Sequence, residues 1–83
     1  MTSRITYKAS VAGDLRKLDK PTARRVLDKL ERLLSRNPGT GIPLTGEFRG
    51  LFKLRISDYR VIYAKTAEGV LVLRIGHRKD VYR

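Results

Sequence analysis

Residues 51–63, LFKLRISDYRVIY, decide the fold of this chain. Polar and apolar residues alternate over residues 51–56, and a second run, rich in β-branched and aromatic residues, starts at Tyr59. Ser57 and Asp58 separate the two runs, and both are common turn residues. The pattern predicts a β-hairpin whose two strands are joined by a tight turn.

The predicted hairpin has two chemically different faces, because successive side chains of a strand point to opposite sides and opposed residues share a side. One face collects the apolar residues Phe52, Leu54, Ile56, Tyr59, Val61 and Tyr63. The other face collects Lys53, Arg55 and Arg60, with Arg55 directly opposite Arg60. Opposed like charges destabilise a sheet, so we expect this face to hold an anion. The alternative is that both arginines are solvated and pair with Asp58 or Glu47.

The chain is strongly basic for its length. It has 83 residues, with 19 Lys and Arg against 8 Asp and Glu, which gives a formal net charge of +11. The length predicts a single domain over residues 1–83, and the hydrophobic fraction of 41% is sufficient for a core. Such a charge predicts a polyanionic partner, either nucleic acid or an acidic protein. We expect no membrane binding, because the basic helices carry no exposed aromatic face.

The residue types that hold metals are scarce. Cysteine is absent and His77 is the single histidine, so the sequence predicts neither disulfides nor a zinc site. We therefore expect no metal and no other cofactor. No apolar stretch follows Met1, and no run reaches membrane-spanning length, which predicts a cytoplasmic protein.

The residues before the hairpin predict one strand and two helices. Residues 4–8, RITYK, alternate as a short strand does. Ser10 is the predicted N-cap of a short first helix. Asp19 is the predicted N-cap of a longer second helix, with Pro21 in its first turn. The apolar stripes of both helices are expected to cover the apolar face of the hairpin.

A third strand of the sheet follows the hairpin. Residues 70–75, VLVLRI, predict a strand that is buried on both faces for most of its length, and Gly76 is expected to end it. By simple alternation Arg74 falls on the core side, with its charged head in water. The order β-α-α-β-β-β predicts an α+β fold, in which a mostly antiparallel twisted sheet carries a helical hairpin on one face. The basic face of the sheet is left open.

Two longer segments carry a family resemblance. Residues 43–65, PLTGEFRGLFKLRISDYRVIYAK, and residues 70–82, VLVLRIGHRKDVY, resemble the RelE branch of the RelE/ParE toxin superfamily. The resemblance implies a RelE-like fold and the toxin of a type II toxin–antitoxin pair. It also implies an endoribonuclease that cleaves mRNA in the ribosomal A site. An acidic, RelB-like antitoxin is the implied partner, in a toxin–antitoxin hetero-oligomer.

The resemblance assigns residues to this reaction. Lys53 and Arg55 match the family's two basic residues on the first hairpin strand, and Arg60 matches its strand arginine. Arg78 matches the arginine after the last strand, and Tyr82 matches the tyrosine near the terminus, which can stack on a base or ribose. Such a nuclease uses the 2′-hydroxyl of its own substrate as the nucleophile and needs no metal. Arginine suits phosphate because its planar fork donates to two oxygens at once.

Arg55 departs from the family pattern. The best-studied members have a lysine at this position, and that lysine is assigned as the general base. An arginine is effectively always protonated, so Arg55 is a poor proton acceptor. Lys53 and His77 are the two candidates for this role, since histidine is well suited to proton transfer near neutral pH.

Two other functions fit parts of the pattern. A ParE-type toxin would share the fold and the antitoxin but would inhibit DNA gyrase by binding it. ParE-like chains usually lack the clustered set Lys53, Arg55, Arg60, Arg78 and Tyr82, so its presence favours the nuclease. A plain RNA-binding module would need basic residues, but no fixed geometry at the last two positions.

Overall fold

Residues 3–77, which the computed structural model describes, form a five-stranded sheet with two α-helices on one face. The elements are β1 (Arg4–Tyr7), α1 (Ala9–Arg16), α2 (Lys20–Arg36), β2 (Ile42–Pro43), β3 (Leu51–Ile56), β4 (Tyr59–Lys65) and β5 (Gly69–His77). A single 3-10 turn lies between β2 and β3. The architecture confirms the predicted α+β fold, and the short edge strand β2 is an addition to the predicted order.

The strand order across the sheet is β1, β5, β4, β3 and β2. β1 pairs in parallel with β5, and every other pairing within residues 3–77 is antiparallel. The first and last strands are therefore neighbours, with Ile5 in register with Val70. The two helices form the crossover that a parallel pair requires.

The central hairpin forms in the predicted register. Ile56 pairs with Tyr59, and Arg55 pairs with Arg60. Ser57, the first turn residue, has a φ of 55°, so it adopts a backbone conformation that side chains other than glycine rarely take. The turn therefore holds the two strands at a small cost in backbone strain.

The helix ends show one correct and one incorrect capping prediction. Asp19 caps α2, because its carboxylate accepts from the Thr22 N–H at 3.2 Å and from the Thr22 hydroxyl at 2.7 Å. Ser10 does not cap α1: it lies inside the first turn, and its hydroxyl donates to the Leu73 carbonyl at 2.8 Å. The Leu73 carbonyl of β5 thus accepts from the hydroxyl that the sequence assigned to the helix cap. No helix in residues 3–77 is long and apolar enough to cross a membrane.

The core lies between the helices and the apolar face of the sheet, as predicted. Leu30 and Leu34 of α2 are completely buried, and Val11 of α1 is nearly so. The sheet contributes Leu54, Ile56, Val61, Tyr63, Val70, Val72 and Ile75. This packed layer fixes the backbone of β3, β4 and β5, and so fixes the side chains on their opposite face.

Tyr63 attaches the loop after α2 to the sheet. Its side chain is fully buried, and its hydroxyl donates to the Pro38 carbonyl at 2.8 Å and accepts from the Gly41 N–H at 2.9 Å. A Cβ at Gly41 would lie 2.6 Å from the Tyr63 hydroxyl oxygen and 2.7 Å from the Lys53 carbonyl oxygen. The close approach therefore requires glycine, and it presses the loop against β3 beside Lys53.

A β-bulge in β5 changes which of its side chains share a face. Ile62 of β4 pairs with Arg74, whereas its neighbour Tyr63 pairs with Val72. Leu73 is therefore an extra residue in β5. Because side chains alternate strictly along a strand, one inserted residue reverses the face of every side chain that follows it.

The bulge corrects two predictions made from the sequence. Arg74 does not lie on the core side, since its partner Ile62 belongs to the face that carries Lys53. Gly76 does not end the strand, which continues to His77. Ile75, rather than Arg74, enters the core at this end of the sheet.

A cationic sheet face as the candidate active site

Lys53, Arg55 and Arg60 lie on one face of the sheet, opposite the helices, as the hairpin register dictates. We call this surface the basic face. Arg55 is exposed, and Lys53 and Arg60 are half-buried. Opposed residues of an antiparallel pair have Cβ atoms only about 4.5–5.5 Å apart, so the two arginines stand within reach of one phosphate group.

Arg55 is held by the turn that follows it. Its Nε donates to the Ser57 carbonyl at 3.2 Å. Within residues 3–77 Arg55 is exposed and forms no ion pair with Asp58 or Glu47. The two Nη atoms of Arg55 have no hydrogen-bond partner in the same range. They are available to the oxygens of an anion.

Arg74 is a fourth cation on this face, and the sequence analysis missed it. The register across the sheet runs from Lys53 through Ile62 to Arg74. Neighbouring strands are about 4.8 Å apart, so the Arg74 backbone lies roughly 10 Å from that of Lys53. The position of Arg74 inside an otherwise apolar strand marks it in the sequence as a candidate functional residue. The face of the sheet on which its side chain lies depends on the bulge, which the sequence does not reveal.

A buried carboxylate fixes the Arg74 guanidinium. Asp14 of α1 is 7% exposed, and it is the one buried charged residue within residues 3–77. Arg74 donates to both of its oxygens, from Nε at 2.9 Å and from Nη2 at 3.0 Å. The Ile75 N–H donates to the same carboxylate at 2.9 Å. Asp14 thus ties α1 to the part of β5 that β1 does not cover.

The electrostatics of this pair follow from its contacts. Burial alone would raise the pKa of Asp14, but the hydrogen bonds from Arg74 and the Ile75 N–H, with the positive charges of Arg74 and Lys17, lower it. The hydrogen bonds and the charge of Asp14 raise the pKa of Arg74 in turn. Both groups are therefore charged at neutral pH, and the bidentate geometry is the strong form of this contact.

His77 lies on the other side of the sheet from the basic face. It pairs with Tyr59, whose neighbours on that face belong to the core, and the two rings meet edge to face at 5.9 Å. Without the bulge at Leu73, alternation would place His77 with Lys53. The structure therefore separates the two candidate proton acceptors that the sequence left open, and Lys53 is the one beside Arg55 and Arg60.

Two of the candidate residues, Arg78 and Tyr82, fall outside the described part of the chain, residues 3–77. β5 precedes them in the chain, and its last residues lie beside the Arg55–Arg60 pair, because Gly76 pairs with Arg60. Their assignment to the site stays a prediction.

The fold and the basic face define a class of protein. The family model described as the ParE toxin of the type II toxin–antitoxin system parDE matches residues 5–82. The chain belongs to the RelE/ParE superfamily of type II toxin–antitoxin toxins, and its relatives place it in the RelE branch.

Three relatives illustrate this similarity. Toxin RelG of Mycobacterium tuberculosis is 34% identical over 82 residues, which cover 95% of this chain and 94% of that protein. The toxin–antitoxin complex RelBE2 of the same organism contains a chain with 31% identity and a TM-score of 0.85, over 94% of this chain and 100% of that one. The archaeal RelE–RelB complex of Pyrococcus horikoshii gives 27% identity and a TM-score of 0.72, over 98% and 100% of the two chains.

Proposed function

We propose that this toxin is a metal-independent endoribonuclease that cleaves mRNA in the ribosomal A site and so stops translation in the cytoplasm. The observation that carries the proposal is the Arg55–Arg60 pair, two opposed like charges on an open sheet face. Two arginines gathered in this way can donate together to one anion, and the RNA phosphodiester is an anion of suitable size and charge. The resemblance of residues 43–65 and 70–82 to RelE supports the same reading.

The proposed reaction is an in-line attack within the substrate. The 2′-oxygen forms a bond to phosphorus and the bond from phosphorus to the 5′-oxygen breaks, which leaves a cyclic phosphate and a 5′-hydroxyl. A base takes the proton of the 2′-hydroxyl, and an acid returns one to the leaving oxygen. Extra negative charge develops on the phosphorane, where the fixed cations Arg55 and Arg60 stabilise it.

The geometry favours Lys53 over His77 as the base. Lys53 is on the basic face and in the strand of Arg55, whereas His77 pairs with Tyr59 on the helix side. A general base must come within hydrogen-bond reach of the proton that it removes. Arg78 and Tyr82 complete the proposed site, with Arg78 on the phosphate and Tyr82 stacked on a base or ribose.

We also propose an acidic antitoxin as the partner, in a hetero-oligomer. The solved relatives include toxin–antitoxin complexes, and the net charge of +11 calls for a partner of opposite charge. Carboxylates of the antitoxin near the basic face would steer association, and apolar contacts would hold the complex. Association should therefore be fast and weakened by salt.

The decisive experiment compares two substrates. Purified toxin is incubated with free mRNA and with the same mRNA in a programmed ribosome, and the cuts are mapped. We expect codon-phased cleavage that is much faster on the ribosome, because the site offers many cations but few groups that transfer protons. Equal rates on both substrates would overturn the ribosome dependence. Intact mRNA together with inhibition of DNA gyrase would instead establish the ParE-type function, which the matched family description favours.

A further inference from the structure

The bulge at Leu73 places Arg74 on the basic face and removes His77 from it. The nitrogen atoms of the Arg74 guanidinium then have different environments. Nε and Nη2 bind Asp14, and within residues 3–77 Nη1 has no hydrogen-bond partner. The side chain is 48% exposed although its acceptor is buried. One end of the guanidinium is therefore fixed and the other faces solvent.

A cavity of about 380 Å³ lies at this edge of β5. Its walls include Arg74, Asp14 and Lys17, and also Gly76, which pairs with Arg60. The remaining wall residues lie on the helix side of the sheet: Leu18, Tyr59, Ile75 and His77. The cavity therefore lies on the helix side of the sheet, at the edge of β5, and Gly76 separates it from the Arg55–Arg60 pair. The charges of Asp14 and Arg74 cancel, and Lys17 leaves the cavity with a net positive charge.

On these grounds we propose that the cavity is a second phosphate subsite for the RNA, in which Arg74 Nη1 and Lys17 bind the phosphate next to the one that is cleaved. The inference rests on the proposed ribonuclease function and extends it. An RNA strand that crosses β3 and β4 at Arg55 and Arg60 reaches β5 next, and it enters the cavity by passing over the edge of β5 that β1 does not cover. Arg74 touches the substrate in this arrangement, and Asp14 is a positioning residue that acts through Arg74.

The purpose of the buried carboxylate follows from this arrangement. A free arginine side chain loses rotamer freedom when it binds a ligand, and this loss weakens binding. The bidentate contact with Asp14 fixes the side chain before the RNA arrives, because α1 holds the carboxylate rigidly under the edge of β5. Binding at a preorganised group is correspondingly tighter.

The test is Arg74→Gln, measured by kcat and KM for a programmed ribosome. Loss of one charge-assisted contact is expected to raise KM about tenfold or more, with kcat changed less than about threefold, because the neighbouring phosphate does not react. Asp14→Asn should shift KM in the same direction by a smaller factor. Arg4→Gln is the matched control: it removes the same charge from an exposed ion pair with Glu68 and should leave KM unchanged.

A binding assay separates the subsite from the reaction. An RNA oligonucleotide with a 2′-deoxy residue at the cleavage position binds but cannot be cut, and its affinity is measured against salt concentration. Arg74→Gln should lower the slope of log K against log salt by about 0.7 for one phosphate contact on a single strand. Arg4→Gln should not change it. Equal slopes and equal KM values for the two variants would overturn the subsite.

Folding is checked by thermal unfolding, and Arg74→Lys covers the case in which Arg74→Gln does not fold. A lysine keeps the charge but cannot bind Asp14 through two nitrogens, so we expect an intermediate KM. A KM equal to that of the parent would overturn the role of the fixed guanidinium. If the parent does not cleave RNA at all, the proposed ribonuclease function is wrong, whereas cleavage with no response at Arg74 refutes only the subsite.

Discussion

Arg55 of β3 lies directly opposite Arg60 of β4, one residue from the turn that joins the two strands. The repulsion between opposed like charges costs about 0.2–1 kcal/mol relative to neutral residues. Ser57 in the same turn adds backbone strain. The turn end of the hairpin is thus less stable than it would be with a neutral residue at one of the two paired positions and glycine at position 57. A cost of this kind is expected where function and stability compete.

The first prediction concerns a variant that should gain stability and lose activity. Arg55→Glu places opposite charges across the hairpin, so we expect the free energy of unfolding to rise by about 0.5–1 kcal/mol. Cleavage should be lost, because the new carboxylate repels phosphate. Urea unfolding and ribosome-dependent cleavage measure the two effects. Arg24→Glu on the exposed side of α2 is the matched charge reversal, and an equal loss of activity in that variant would attribute the effect to net charge alone.

The second prediction separates the two candidate bases. Lys53→Ala should remove the pH dependence of kcat that the proton acceptor produces, since Lys53 is on the basic face with Arg55 and Arg60. His77→Ala should keep the shape of the parent profile, because His77 is on the helix side with Tyr59. The measurement is kcat on programmed ribosomes as a function of pH. A flattened profile in the His77 variant alone would reverse the assignment.

The third prediction concerns acid stability. The folded protein lowers the pKa of Asp14 below its ordinary value of 3.8, so the ionised carboxylate stabilises the fold above that pH. This contribution is lost as the pH falls through the lower, folded-state pKa. Asp14→Asn should therefore destabilise the protein at pH 7 by about 1–3 kcal/mol and by much less near pH 2. Asp28→Asn, on the exposed side of α2, is the control, and a pH-independent loss in Asp14→Asn would contradict the linkage.

The fourth prediction tests the contact between Gly41 and Tyr63. Gly41→Ala brings a methyl group to 2.6 Å from the Tyr63 hydroxyl oxygen, so the loop must move and we expect a loss of about 2 kcal/mol or more. Tyr63→Phe leaves the Pro38 carbonyl and the Gly41 N–H without their partner, at a cost of about 1–3 kcal/mol. The double variant should lose less than the sum of the two, because each change relieves part of the other. Strict additivity in urea unfolding would show that the two residues are not coupled.

The fifth prediction relieves the strain in the turn. Within residues 3–77, Ser57 is the one residue other than glycine with a positive φ. Ser57→Gly should raise the free energy of unfolding by about 0.5–1 kcal/mol, since glycine adopts this conformation without a steric cost. Asp58→Gly is the matched control at the next position, where φ is not positive, and it should be neutral or destabilising. A gain in both variants would point to a cause other than φ.

Local patterns predicted the part of the fold that local chemistry determines. The hairpin register follows from the position of the turn between two alternating runs, and the cap at Asp19 follows from residues within one helix turn. Ser10 failed as a cap because its hydroxyl binds a carbonyl on β5, which is distant in sequence. No local signal reports that competition.

The candidate site was predictable on β3 and β4 but not on β5. Lys53, Arg55 and Arg60 share a face through simple alternation, and the structure confirms their placement. The faces of Arg74 and His77 depend on a bulge at Leu73, which exists only through the pairing of β5 with β4. Simple alternation therefore predicts His77 on the basic face beside Lys53, whereas the structure has Arg74 on that face.

The parallel pairing of β1 with β5 also determines how early the domain can fold during its synthesis. The first strand to leave the ribosome has no partner until the last strand has been made, and β5 separates β1 from β4 in the sheet. Closing such a sequence-distant contact is slow and must follow translation of nearly the whole chain. The nascent polypeptide therefore lacks the complete sheet, and a partner that recognises only the folded domain can bind only after β5 has been made and has paired with β1.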